Sequence, residues 1–201
     1  MGERLTRAFF ARSPLEVAPE LLGCVVTHDG VSVRLSEVEA YDGGDDPASH
    51  AFRGRTKRNA VMFGPAGHLY VYFTYGMHWC ANVVCGEDGV AGAVLLRAGE
   101  VVAGEDVARR RRGDRVASRD LARGPARLTQ ALGVGRAHDG LDLCAGPMSV
   151  GPEESGPIDI SSGPRVGVAK AADRPWRFWV EGDPTVSAYR PHVPRRRTSR
   201  A

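Results

Sequence analysis

In the segment SEVEAYDGGDDPASH, residues 36–50, Glu39 and Tyr41 stand two apart and His50 follows across an acidic loop. Residues two apart on a strand share a face, so the carboxylate and the phenol would lie side by side. A carboxylate near aromatic rings and an imidazole suits the activation of water beside a flat ligand. Alone, the Glu-x-Tyr pair carries little weight, because both residue types are common at strand edges. A second stretch, LYVYFTYGMHWC from Leu69 to Cys80, gathers three tyrosines, a phenylalanine, a tryptophan and a histidine in a chain with 14 Phe, Tyr and Trp residues. Alternation puts Tyr70, Tyr72 and Thr74 on one face and Val71, Phe73 and Tyr75 on the other. Gly76 permits a tight turn, which leaves Tyr75 at or near a hairpin tip. An aromatic at a tip exposes apolar surface unless something covers it. One cover is the minor groove of DNA, into which proteins push side-chain wedges; packing on the protein's own core is the other reading.

The elements that would position these groups follow from local pattern. Ser13, Pro14 and Glu16 form a capping-box start for a helix over 13–23, with Pro19 predicting a bend or two short turns and Gly23 a stop. CVVTHDGVSVRLSEVEAY reads as a β-hairpin turning at His28-Asp29-Gly30. Residues 42–67 form a long loop rich in Gly, Asp and Arg, a kind that is usually functional or disordered. HLYVYFTYGMHWCANVVC reads as strand, turn, strand, and GVAGAVLLRAGEV as a buried strand. GEDVARRRRG and GPARLTQALGV read as helices, the second with Pro125 at its first position; PRVGVAKA and PWRFWVEG read as late short strands. His28 and His68 read as turn and surface residues.

The chain has 201 residues, enough for one domain with a substantial core. The formal charge is +3, but residues 191–201 carry four arginines and no acid, so residues 1–190 sum to −1. That balance excludes a uniformly basic, polyanion-coating protein and leaves local patches. The expectation is one domain over 1–190 and a basic, disordered tail over 191–201. No apolar run is long enough for a membrane helix, and no signal-peptide pattern opens the sequence, so a cytoplasmic protein is expected. Cys24, Cys80, Cys85 and Cys144 form no CxxC pair and no zinc-finger spacing; they are expected as reduced structural thiols, with no metal site.

Taken together, LLG at 21–23, the block EVEAYDGGDDPASHAFRGRTKRNAVMFGPAGHLYVYFTYGMHWCANVV, then VLLRAGE, GPARLTQALG and RVGVAKAADRPWRFWV resemble the alkyladenine (3-methyladenine) DNA glycosylases of the mammalian alkyladenine-glycosylase type. The likeness runs in order from about Leu21 to about Ser187. It implies an α+β fold, a single mixed domain around a curved antiparallel sheet with a hairpin inserted into DNA. It implies an enzyme that needs no cofactor and acts as a monomer on double-stranded DNA containing a damaged purine. Under the resemblance Glu39 is the water-activating carboxylate, helped by Arg97 and by the backbone carbonyl of Val166. Tyr41, His50 and Tyr72 sandwich the flipped base, and Asn82 disfavours the amino group of normal guanine. Tyr75 is the wedge and Met77 contacts the opposite strand's stack. Arg53, Arg55, Lys57 and Arg58 are candidates for the DNA backbone. Lys57 and Ala66 depart from the family pattern, where proline is expected at each.

With only Lys57, Lys170 and the N-terminus as amines and none in a nucleophile position, a water-using enzyme without a lyase step is expected. The Arg109–Arg112 run reads either as a solvated helix face or as a phosphate contact, and Arg195–Arg197 as a DNA tether. Two other classes remain open: a base-stacking module without catalysis, which would not need Glu39 or Arg97, and a small-molecule hydrolase, which would not bind DNA.

Overall fold

The computed structural model describes residues 3–74, 76–153 and 156–194. Tyr75 and Arg195–Arg197, the expected wedge and tether, lie outside the described residues. The described chain is one mixed α/β domain built on a nine-stranded, wholly antiparallel sheet that does not close. Its strands are β1 (Val25–His28), β2 (Val31–Tyr41), β3 (Leu69–Thr74), β4 (His78–Val84), β5 (Ala93–Ala103), β6 (Ala122–Arg123), β7 (Ser149–Gly151), β8 (Ile160–Gly163) and β9 (Arg177–Val180). The main order is β3-β4-β5-β2-β1-β7, with β6 on β5 and the β8–β9 hairpin joined to β2. Both ends of this order are covered. Leu69 N donates to Leu141 O and Val71 N to Asp139 on one edge, and Leu5 N donates to Val150 O on the other, which blunts pairing with other chains.

Helices α1 (Arg7–Phe10), α2 (Pro14–Glu20), α3 (Glu105–Arg112) and α4 (Pro125–Leu132) complete the fold. Helix α2 carries the expected capping box of Ser13 and Glu16 but runs as one helix with Pro19 inside it. The first of the two expected late strands is also corrected, while PWRFWVEG holds β9. PRVGVAKA is a turn-rich loop, and the strand is β8 just before it, because Pro164 and the positive φ of Gly167 and Ala171 break the extended run. His28 is buried, with Nδ1 2.7 Å from the Leu132 carbonyl, so it is an interior residue rather than a turn residue. His68 is half-buried beside the Arg7 guanidinium. Each of the four arginines of α3 has a partner within the chain: Arg109 on Glu105, Arg110 on Asp106 at the surface, Arg111 on Asp29 and Arg112 on the Leu121 carbonyl and Gln130. Of the two readings of that run, a solvated helix face and a phosphate contact, these intramolecular partners fit the first, with Arg110 and Asp106 both exposed.

One irregularity decides which side chains reach the functional face. Along β2, Val31, Val33 and Leu35 enter the core, but after Leu35 the core residues are Val38 and Ala40. The register against β5 slips between Leu35 and Glu37, so Ser36 is an inserted residue, a β-bulge. The bulge reverses the alternation and sends Glu37, Glu39 and Tyr41 to the face away from the main core. Gly99 of β5 lies opposite Leu35, and a Cβ there would sit 2.2 Å from the Arg34 carbonyl oxygen. Gly99→Ala is therefore expected to destabilise the fold by about 1–3 kcal/mol, the usual cost of forced overpacking, read as a lower urea midpoint.

Candidate active site

Glu39 is fully buried and receives three donors. The Val166 amide donates to Oε1 at 2.7 Å, the Tyr41 hydroxyl to Oε2 at 2.8 Å, and Arg97 Nη1 lies 3.2 Å from Oε1. Besides the carbonyl that the resemblance assigns to holding the water, Val166 contributes its amide, which touches Glu39 directly. Burial, and then the neighbouring Glu39 charge, hold the Tyr41 phenol well above its ordinary pKa, so it stays a donor at neutral pH.

Arg97 is held from behind by Glu37, a residue the sequence reading passed over. Glu37 is fully buried and accepts from Arg97 Nε at 2.7 Å, Arg177 Nε at 2.7 Å, Ser187 N at 2.7 Å and Ser187 Oγ at 3.0 Å. Burial opposes the charge of Glu37, but Arg97 and Arg177 outweigh it and leave the carboxyl below its usual range. For Arg97, burial is likewise outweighed, by Glu39 and Glu37, so the guanidinium is firmly cationic.

A cavity of about 400 Å³ opens beside this cluster, lined by Tyr41, His50, Tyr70, Tyr72, Asn82, Val166 and Lys170 among others. That volume falls within the range that holds small flat molecules. Strand alternation builds one wall: Tyr70 and Tyr72 of β3 face the cavity with Asn82, the cross-strand partner of Tyr70, while Leu69 and Val71 enter the core. His50 meets the Tyr72 ring edge-on at 4.6 Å and places Nδ1 3.1 Å from the Tyr70 hydroxyl. Surrounding protein, and then the Arg58 cation, lower the His50 pKa. The loop over 42–67 that carries His50 is ordered by Asn59, whose amide donates to the carbonyls of His50 and Gly54 and accepts from Thr56.

The opposite wall is the loop after β8. Arg165, fully buried, pairs with Asp46 and donates to the Ala40 carbonyl. Its guanidinium lies 4.6 Å from the centre of the Tyr41 ring, so it backs that ring and fixes the loop from which Val166 reaches Glu39. Neither Arg165 nor Asp46 was singled out from the sequence. Their side chains are brought together across 119 positions, with no local signal.

The remaining candidates lie outside the cavity. Met77 is exposed in the turn between β3 and β4. Arg53, Arg55 and Lys57 are exposed and, among the described residues, form no hydrogen bond or ion pair, while Arg58 leans toward Tyr72 with 5.9 Å to the ring centre. Among the described residues no three His, Cys, Asp or Glu side chains cluster as a metal site, and no helix is long and apolar enough to cross a membrane. In chemical terms the site offers an oriented carboxylate with a neighbouring cation, buried directly behind the Tyr41 and Val166 wall of an aromatic slot.

Comparison with known proteins identifies the family. Residues 8–184 match the family model described as methylpurine-DNA glycosylase. A protein of Streptomyces avermitilis is 57% identical over 202 residues, covering 96% of this chain and 95% of the relative. One from Leifsonia xyli is 54% identical, with 92% of each covered, and one from Burkholderia cenocepacia is 50% identical, with 96% and 95% covered. All three carry the provisional name 3-methyladenine DNA glycosylase. The chain belongs to the methylpurine-DNA glycosylase family and is, by that membership, a hydrolase of N-glycosyl bonds.

Proposed function

We propose that this protein starts base-excision repair by removing alkylated or deaminated purines from double-stranded DNA. The substrates are of the 3-methyladenine, 7-methylguanine, hypoxanthine and ethenoadenine class, and the mechanism follows the mammalian alkyladenine type. The observation that carries this reading is Glu39, held by Val166, Tyr41 and Arg97 directly behind the wall that Tyr41 and Val166 give to a slot also lined by Tyr72 and His50.

The glycosidic bond of a stacked base is out of reach, so the nucleotide is extruded at a cost of a few kcal/mol, less when the base is damaged. Stacking between Tyr41 and Tyr72 returns about 1–3 kcal/mol. A cationic lesion gains a further ~0.5–2 kcal/mol over aromatic rings. Here the gain lies at the low end, because Arg165 and Arg58 already approach Tyr41 and Tyr72. Tyr75 fills the vacated stack, Met77 touches the opposite strand, and Asn82 rejects the amino group of guanine. Arg53, Arg55, Lys57 and Arg58 meet phosphates. Glu39, aided by Arg97 and the Val166 backbone, takes a proton from water as it attacks C1′, and its charge steadies the cation developing on the sugar. The bond from C1′ to the purine nitrogen breaks with its electron pair on the base, leaving free purine and an abasic site. The enzyme acts as a monomer without metal or cofactor, in the cytoplasm at the nucleoid, and has no lyase step. The basic tail over 191–201 acts as a tether.

Incubation with methylated DNA in chelator tests this. The expected result is free 3-methyladenine by chromatography, with strands that break only after alkali. Strand breakage without alkali, trapped by borohydride as a protein adduct, would overturn the water mechanism in favour of an amine such as Lys170.

A further inference from the structure

The β3–β4 hairpin has two aromatic faces, and the lesion cavity uses one. On the face shared with Val71, Phe73 lies directly opposite Trp79, their rings 4.7 Å apart and tilted by 47°. Trp79 packs on the core, but Phe73 projects beyond it and is 45% exposed. The pair lines a groove of about 410 Å³ whose other walls carry Lys57, Arg58, Arg136 and Asp139. Asp139 is occupied by the Val71 amide, 2.9 Å from its carboxylate. Lys57 and Arg136 are exposed, and their side chains have no hydrogen-bond or ion-pair partner among the described residues. Three cations thus surround an exposed aromatic pair with one engaged acid between them. Tyr72 borders both this groove and the lesion cavity, so the two sites are neighbours on opposite sides of one strand.

An aromatic platform framed by cations is the arrangement that holds an unpaired nucleotide: the ring stacks the base and the cations meet the flanking phosphates. We propose that this groove is a second nucleotide site, taking one unstacked base of a single strand on Phe73 and Trp79, with its phosphates on Lys57, Arg58 and Arg136. The site recognises a stacked base plus backbone charge, without sequence preference, and it does not depend on Glu39. It shares Lys57 and Arg58 with the backbone contacts of the excision reading, goes beyond that reading at Phe73, Trp79 and Arg136, and is tested at those residues alone.

The test is fluorescence anisotropy with a labelled, undamaged thymidine octamer and with the same backbone lacking bases. Wild type, Phe73→Leu and Arg136→Gln are compared over a salt series. Phe73→Leu keeps apolar bulk and removes the ring, and Arg136→Gln alters only an exposed, unpartnered side chain. Wild type is expected to prefer the octamer with bases by about tenfold, the size of one stacked base. Phe73→Leu should lose that preference, and Arg136→Gln should lower the slope of log affinity against log salt by about 0.7. The proposal is overturned if Phe73→Leu keeps the preference, if Arg136→Gln leaves the slope unchanged, or if Phe73→Leu instead dissolves a dimer seen by sedimentation. Release of a damaged base, followed in the same preparations, separates the two readings. No release with the preference intact sinks excision and leaves the groove; release with the preference unaffected by Phe73→Leu does the reverse.

Discussion

Glu39→Gln is expected to slow release of a damaged purine by about 10²–10⁴-fold, the usual worth of a positioned acid–base group, while affinity for the damaged duplex stays near wild type. Glutamine keeps the shape of the side chain: its oxygen can still accept from the Val166 amide, which donates to Glu39 at 2.7 Å, and its NH2 can donate to the Tyr41 hydroxyl, which lies 2.8 Å from Glu39 and would turn from donor to acceptor. It loses the charge that would draw a proton from water and face the developing cation. The loss therefore falls on the chemical step. Single-turnover release, measured beside duplex binding, separates the two. A parallel fall in binding and release would place Glu39 in the architecture of the slot rather than in the reaction.

Glu37→Ala is expected to have the largest effect on stability. Arg97 and Arg177 are 6% and 5% exposed, and both rest on this one carboxylate. Removing it leaves two guanidinium groups buried, Arg97 with only Glu39 as an ion-pair partner and Arg177 with none among the described residues. Breaking a buried pair in this way costs about 3–5 kcal/mol, read from urea unfolding. Because Arg97 also faces Glu39, release should slow by up to about 10²-fold even where the variant is fully folded, as small misplacements of oriented groups do. The pH dependence has a definite sign. The folded carboxyl of Glu37 titrates below its unfolded value of roughly 4.3. Its contribution is therefore complete above that value and disappears as the pH falls through the lower, folded one. Acid melts of wild type should lose stability below about pH 4 more steeply than those of Glu37→Gln; equal slopes would contradict the ion-pair account.

The parts of this design that are local were legible in the sequence. Alternation alone placed Tyr70 and Tyr72 on one face of β3, and Glu39 beside Tyr41 on β2. The capping box at Ser13 and the proline start of α4 marked helix ends correctly. What stayed hidden depends on register or on distant pairing. Nothing near Ser36 announces the bulge that turns Glu37 and Glu39 away from the core, and Gly99, which allows it, lies on another strand. Glu37 looked like an ordinary polar residue of a strand because its partners Arg97, Arg177 and Ser187 are 60 to 150 positions away. The valines of PRVGVAKA suggested a strand, yet Pro164 and Gly167 make that segment a loop, which is what lets the Val166 amide reach Glu39. The Arg109–Arg112 run gave no sign of its partners, because those of Arg111 and Arg112 lie on other elements of the fold.

The central claim is that the Glu39 slot cleaves damaged purines from DNA rather than merely holding them. The most direct measurement is single-turnover base release, with enzyme in excess, from a duplex bearing one hypoxanthine and from the same duplex bearing adenine at that position. The account predicts release of hypoxanthine, retention of adenine and an abasic site in the first duplex alone. Tight binding of the hypoxanthine duplex with no base released from either would contradict it and leave a base-stacking module in its place.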